Sequence, residues 1–253
     1  FFVTFAFYMA YFFFSIPSSY VLKKTGFKNG MALGLLIMGI GSLIFVPAAQ
    51  SRSFELFLVG LFVQGTGLAL LQTASNPYIS IVGPIESAAK RISIMGICNK
   101  IAGALSPLIL SAVILKNAGQ LEEKINATTD MAQKEILLNE LASRVIAPYI
   151  VMACILCLLS LMIKKSSLPE INIDKEEPQA TNAQIEKTSV FQFPHLLLGV
   201  ICLFVYVGVE VLAGDAIGTY GKTMGMSTDK TKYFTTYTLI AMLLSYIIGI
   251  FTI

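Results

Sequence analysis

The chain has 253 residues, 55% of them apolar and 13% charged, with a mean hydropathy of +0.74. Soluble domains carry about 25% charged residues, so this composition excludes a disordered chain, a collagen-like chain and a single soluble globule. The net charge of +3 comes from 18 Lys+Arg against 15 Asp+Glu, and the basic residues sit beside apolar runs rather than in one patch, which argues against a nucleic-acid partner.

What remains is an all-α polytopic membrane protein. A spanning helix takes about 20 mostly apolar residues. Seven stretches qualify: 1–22, 30–49, 54–82, 92–115, 145–163, 195–218 and 233–253. They are too long and continuous for barrel strands, which need about 10 alternating residues. The chain opens at Phe1 with neither Met nor a basic leader, and it stops at Ile253 inside an apolar run. The expectation is an internal piece of a longer membrane protein.

The polar gaps follow in order. Lys23-Lys24-Thr25-Gly26-Phe27-Lys28 is a tight basic turn, Gln50–Ser53 a short polar one, and Gly83–Arg91 a short loop ending in Lys90-Arg91. In the longer segment 116–144, Asp130 is placed to cap an amphipathic helix carrying Ile136, Leu137 and Leu141. Residues 164–193 are rich in Lys, Glu, Pro and Asn and read as a flexible linker. Loops on one side hold nine Lys/Arg and those on the other eight, so the whole-loop count decides little. Position decides more: the pairs Lys23-Lys24, Lys90-Arg91 and Lys164-Lys165 abut helix ends on one side, which is then cytoplasmic.

Ionisable groups inside a bilayer cost at least ~2.5–3.5 kcal/mol each and usually face a cavity or a partner. Lys100, Glu210 and Asp215 stand out. For Lys100 and Glu210 a structural pair and a functional role are both open, and Asp215 also suits the outer interface. The third span is rich in amides, with Gln64, Gln72 and Asn76. Gln72 and Asn76 are four apart and share a helix face, and Pro77 is expected to kink the helix beyond them. Interhelical glue and a ligand site both fit these amides. Gly96, Asn99, Gly103 and Ser106 form one stripe of the fourth span. Tyr206 and Glu210, at i and i+4, fit either a polyhydroxylated solute or a structural hydrogen bond.

Other features carry less. Gly30-x-x-x-Gly34 and Gly214-x-x-x-Gly218 read as close helix packing. Cys98, Cys154, Cys157 and Cys202 lie in apolar runs and read as packing residues, and Cys154-x-x-Cys157 lacks the strand-to-helix setting of a redox motif. His195 follows Pro194 at a helix start and suits a membrane interface; one His and scattered Cys make no metal set. Asn126-Ala127-Thr128 matches a glycosylation sequon. No catalytic or nucleotide-binding motif occurs, so no enzyme is expected.

The run QGTGLALLQTASNPYISIVGPIESAAKRISIMGICNKIAGALS, from Gln64 to Ser106, resembles the fucose:proton symporter family of the major facilitator superfamily, especially its glucose/galactose transporter branch. Gln72 to Tyr78 is similar to the family's TAxNPY signature on transmembrane helix 4. Tyr206 to Val211 is similar to its helix 7, and Lys24-x-Gly26-x-Lys28 resembles a degenerate loop 2–3 motif without its acidic residue. The resemblance covers essentially the whole chain. It implies a major facilitator-type helix bundle, truncated, with about seven transmembrane helices present, numbers 2 to 8 of twelve. Residues 1–163 are then most of the N-terminal half, 164–194 the cytoplasmic linker and 195–253 the start of the C-terminal half.

The resemblance also implies secondary transport of a neutral hexose across the cytoplasmic membrane by alternating access, with cation-coupled symport expected. In fucose-permease members a glutamate stands where this chain has Gln72, and the family's helix 5 asparagine matches Asn99. Gln72, Asn76, Asn99, Tyr206 and Glu210 are the candidate sugar contacts. Gln72 cannot titrate, so Glu210 is the candidate coupling group. No cofactor is implied beyond a coupling proton or sodium ion; sugar and lipid are the partners, and no oligomer is implied. An uncoupled facilitator, or a carrier of another neutral solute, stays open. A retinal protein is disfavoured by the lack of Lys in the last span, and an intramembrane enzyme by the lack of a Ser–His or paired-Asp set.

Overall fold

The computed structural model describes residues 2–114, 130–171, 193–227, 231 and 233–252. Eight α-helices account for most of them: α1 Phe2–Thr25, α2 Phe27–Ser51, α3 Phe54–Ile81, α4 Ala88–Ile114, α5 Met131–Lys165, α6 Pro194–Val211, α7 Ile217–Thr223 and α8 Phe234–Thr252. A π-turn over Leu212–Ala216 joins α6 to α7. Among the described residues there is no strand. The described residues of the apolar stretches read from the sequence are helical, apart from Val82 and Tyr233 at two edges. Five helices, Phe2–Thr25, Phe27–Ser51, Phe54–Ile81, Met131–Lys165 and Pro194–Gly214, are long and apolar enough to cross a membrane, and Phe234–Ile250 is a shorter apolar one. Helix α4 is 27 residues long but carries Lys90, Arg91 and Lys100. Large apolar side chains such as Phe12, Ile16 and Phe204 are exposed on the helix surfaces, as a lipid-facing bundle requires.

The chain forms two compact units. One comprises Phe1–Ile92 and Ile109–Asn172, the other Ser93–Leu108 and Ile173–Ile253.

In the first unit α2 packs against α3 and α5, and α1 packs against α3. Glycines permit the close approach. A Cβ at Gly34 would lie 2.9 Å from the Gly67 carbonyl oxygen and the Leu71 nitrogen; one at Gly67 would lie 2.7 Å from the Gly34 oxygen and the Met38 nitrogen. Backbone meets backbone there, so the expected packing role of Gly34 is observed. Polar side chains add to the seam. Gln64 Nε2 donates to Ser42 Oγ at 2.8 Å, and Ser160 Oγ donates to the Ala32 carbonyl at 2.6 Å. Phe45 is buried between Phe57 and a stacked Tyr149, with ring centroids 4.9 and 4.3 Å away.

The turns are explicit. Gly26 links α1 to α2 at φ 78°, a region that favours glycine. Arg52 ends α2 in the left-handed conformation at φ 52°. Ser53 caps α3 by accepting from the Leu56 amide at 3.3 Å. At the other end of α3, Arg91 donates to the carbonyls of Ile79 and Ser80, both at 2.8 Å, and to that of Pro84 at 3.0 Å. It thereby serves carbonyls that a helix terminus leaves without intrahelical partners. Helix α3 runs unbroken through Pro77.

Two expectations change. Asp130 does cap a helix, its carboxylate accepting from the Ala132 amide at 3.0 Å. That helix is not separate from the span at 145: α5 is one helix of 35 residues. Nothing between Met131 and Ala147 is Gly or Pro, so nothing stops it. At 1.5 Å per residue it is about 50 Å long, longer than a ~30 Å hydrocarbon core, so part of it lies outside the bilayer. The Arg52–Glu135 ion pair, 2.9 Å and exposed, fits such a position. The linker expected from 164 is helical through Lys165, and the next residues are docked. Lys28 Nζ donates to the Ser166 carbonyl and Tyr78 Oη to that of Pro169, while Leu168 and Ile171 pack on Leu22, Phe27, Met31, Ala74 and Tyr78. Apolar Leu168 and Ile171 oppose the polar composition of the rest. Linker residues 172–192, and the sequon at Asn126, lie outside the described residues.

In the second unit α6, the π-turn, α7 and α8 pack together. Gly214, expected to pack closely, has open space where a Cβ would stand. Its role is through the backbone: the Gly214 carbonyl accepts from Thr235 Oγ1 at 2.8 Å. A π-turn opens the carbonyl ladder, which frees that oxygen for α8.

Replacing Gly67 or Gly34 by Val in the full-length protein is expected to lower the detergent unfolding midpoint strongly, by the equivalent of about 1–3 kcal/mol or more. Gly199→Ala, which meets nothing within 4 Å, is the control with a small effect.

Candidate functional site

The second unit contains a cavity of about 620 Å³ between α6 and α8, reached also by Ser93 of α4. Its polar lining is Ser93, Tyr206, Glu210, Thr238, Ser245 and Tyr246; Val209, Ala213, Ala241 and Met242 supply apolar wall. The i, i+4 spacing of Tyr206 and Glu210 does set both on the cavity face. Tyr206 Oη and Tyr246 Oη lie 3.1 Å apart and share a hydrogen bond. A Cβ at Gly96 would stand 2.7 Å from the Tyr246 ring, and one at Gly103 3.6 Å from Leu239. Of the stripe read on α4, Gly96 and Gly103 thus face side chains of α8, whereas Asn99 and Ser106 are exposed.

Glu210 is paired. Lys100 Nζ donates to Glu210 Oε1, and Lys100 is only 8% exposed. The carboxylate, partly exposed, faces the cavity, whereas Lys100 is not part of its lining. The ammonium stands behind the acid. Asn99 precedes Lys100, is exposed and does not line the cavity. The side chain of Asp215 lies outside the described residues.

Gln72 and Asn76 belong to the other unit. Gln72 is half-buried, and its Oε1 accepts from Tyr11 Oη at 2.6 Å. That bond uses the amide oxygen and leaves the Nε2 group as a donor. Asn76 is exposed. The amide-rich span thus divides its work: Gln64 bonds α3 to α2, and Gln72 bonds α3 to α1.

Sequence reasoning missed three residues. Tyr11 and Tyr246 each place a polar tip inside an apolar run, the one signal available, but their partners lie 61 and 40 residues away. Arg91 was read only as a topology charge, although it holds the end of α3.

Breaking the Lys100–Glu210 pair one-sidedly leaves an unmatched charge, which costs about 3–5 kcal/mol in buried pairs. Lys100→Met is therefore expected to lower the thermal midpoint of the full-length protein more than the double change Lys100→Met with Glu210→Met. Equal or additive losses would show that the two side chains do not act as a pair.

The sequence matches the model of the Major Facilitator Superfamily over residues 2–253. It is 34% identical over 213 residues to a glucose/galactose transporter of Brucella abortus biovar 1 (strain 9-941), covering 84% of this chain and 47% of that protein. It is 26% identical over 250 residues to the L-fucose-proton symporter of Escherichia coli (strain K12), covering 98% of this chain and 56% of that one. The chain thus spans about half the length of these relatives. Its fold is similar to the crystal structure of the transporter FucP in the outward conformation, with a TM-score of 0.81 at 25% identity, over 99% of this chain and 61% of that one.

Proposed function

Because the chain belongs to the major facilitator superfamily, and is thereby a multi-pass protein of the cytoplasmic membrane, we propose that it is part of a transporter for a neutral hexose. The observation that carries this reading is the cavity lined by Tyr206, Tyr246 and Glu210 with Ser93, Thr238 and Ser245. Aromatic faces stack on the C–H faces of a sugar, and a carboxylate and hydroxyls bond its hydroxyl groups. The similar proteins named as glucose/galactose transporter and L-fucose-proton symporter point to the same class of solute.

In this reading residues 1–163 and 195–253 belong to the two halves of the transporter, joined by the linker 164–194. Gln72 donates from Nε2 to a sugar hydroxyl, held in that orientation by Tyr11. Asn99 and Asn76 are further contacts of the first half. Tyr206 and Glu210 bind from the second. Glu210 is the candidate coupling group, where a proton or sodium ion would act during transport by taking the place of its Lys100 partner. Alternating access, by rocking of one half on the other, carries the solute across. The cavity is lined by hydroxyls and a carboxylate matched by Lys100, which favours an uncharged solute over an organic acid.

Equilibrium binding of glucose, galactose and fucose to the purified full-length protein tests this reading. Gln72→Ala, Asn99→Ala and Glu210→Gln are each expected to weaken binding of the preferred hexose by roughly tenfold or more, the scale of one lost hydrogen bond to a polar group. Tyr11→Phe is expected to weaken it by about fivefold, through loss of the Gln72 orientation. Unchanged binding in all four variants would refute the site. Absence of hexose binding by the folded wild type would refute the solute class.

A further inference from the structure

We propose that Lys100 is a tethered counter-ion: a positioning residue that keeps the Glu210 carboxylate ionised and aimed into the cavity, so that Glu210 receives solute hydroxyls without first taking a cation from solution. The proposal rests on the assignment of the cavity as a solute site and adds to it a residue that does not touch the solute.

The geometry supports this in three ways. Lys100 bonds Glu210 through Oε1, which leaves Oε2 to serve the cavity that Glu210 lines. Lys100 is buried and stands outside the lining, so its charge acts through Glu210 rather than on the solute. The neighbouring segments of α4 and α8 also add no further charge. Within 93–108 Lys100 is the one charged residue, and α8 from Phe234 to Thr252 has none. The titratable groups facing Glu210 are Tyr206 on its own helix, Tyr246 on α8 and Lys100 on α4; Cys98 of α4 is exposed. No second carboxylate competes for the ammonium among the described side chains of this unit. A carboxylate in a low-dielectric site keeps its charge only beside a cation or strong donors. Lys100 supplies that cation.

The consequence concerns coupling. A proton or sodium ion can serve Glu210 only by displacing the ammonium. In the intact protein the pair therefore hides Glu210 from external pH. Without Lys100, the carboxylate must take a proton to remain in the membrane, and solute binding at this site becomes sensitive to acid.

The test uses the full-length protein as wild type, Lys100→Gln, Lys100→Arg and the double variant Lys100→Gln with Glu210→Gln. Binding of tritiated glucose, galactose and fucose and the thermal unfolding midpoint are each followed from about pH 6 to about pH 8, a window in which ordinary carboxylates do not titrate. Lys100→Gln is expected to gain a pH dependence in both readouts: the midpoint rises as pH falls, whereas affinity falls with pH by up to about tenfold per pH unit, the limit for one proton, because a protonated Glu210 accepts solute hydroxyls less well. The sign follows from linkage: a proton bound by the folded state and not by the unfolded one stabilises at low pH and is lost as pH rises. Lys100→Arg restores the flat wild-type profile, and the double variant is flat because no carboxylate remains. A Lys100→Gln midpoint profile parallel to wild type, or a pH slope that persists in the double variant, would overturn the proposal. Failure of wild type to bind any of these hexoses would sink the solute reading alone, because the midpoint profiles judge the counter-ion independently.

Discussion

A charge inside a membrane must be matched where it stands, and in this chain the Lys100–Glu210 pair meets that constraint. Much of the second unit is arranged around it. Helix α4 brings Lys100 to α6 and turns its small residues, Gly96 and Gly103, toward α8, so that the Tyr246 ring and Leu239 come close. Tyr246 in turn reaches Tyr206. A carboxylate that would be costly alone becomes a fixed acceptor at the wall of a cavity, beside two phenol rings and three aliphatic hydroxyls. The pair makes the cavity both polar and electrically neutral, the combination that an uncharged polyhydroxylated solute requires.

The same constraint acts on the backbone. Lipid offers no hydrogen bonds, so a break within an apolar helix needs an internal partner, and Thr235 takes the carbonyl opened at Gly214. At helix ends, Arg91 spreads over the last carbonyls of α3, and Ser53 and Asp130 cap exposed helix starts. Between helices of the first unit, glycine replaces the hydrophobic effect as the organising feature. With lipid as solvent, apolar surface gains little by being buried, and close backbone approach at Gly34 and Gly67 supplies dispersion contact instead. Gln64 and Gln72 then fix the register of α3 against two different neighbours.

The helices were legible in the sequence because membrane crossing imposes length and composition together, and little else has a run such as 195–218. Their continuity was less so. Polar residues between 131 and 144 looked like a break before the span, yet without Gly or Pro the helix simply continues into water. The docking of Leu168 and Ile171 was hidden by the polar linker that follows them. At the site, Tyr206 and Glu210 were visible because both are unusual in a span and stand one turn apart. Lys100 was visible as a charge but not as the partner of Glu210, since 110 residues separate them. Tyr11 and Tyr246 were invisible for the same reason: a hydroxyl at the end of an apolar ring has no local signature, and its meaning is set by a distant partner.

The most direct measurement of the central claim is uptake of radiolabelled hexoses by the full-length protein in proteoliposomes, under an inward proton gradient, an inward sodium gradient, and neither. The account predicts saturable uptake of at least one of glucose, galactose and fucose, with competition among hexoses and none from organic acids; the gradient that concentrates the sugar identifies the coupling ion, and equilibration without concentration identifies a facilitator. Folded, inserted protein that moves none of these hexoses under any gradient would contradict it.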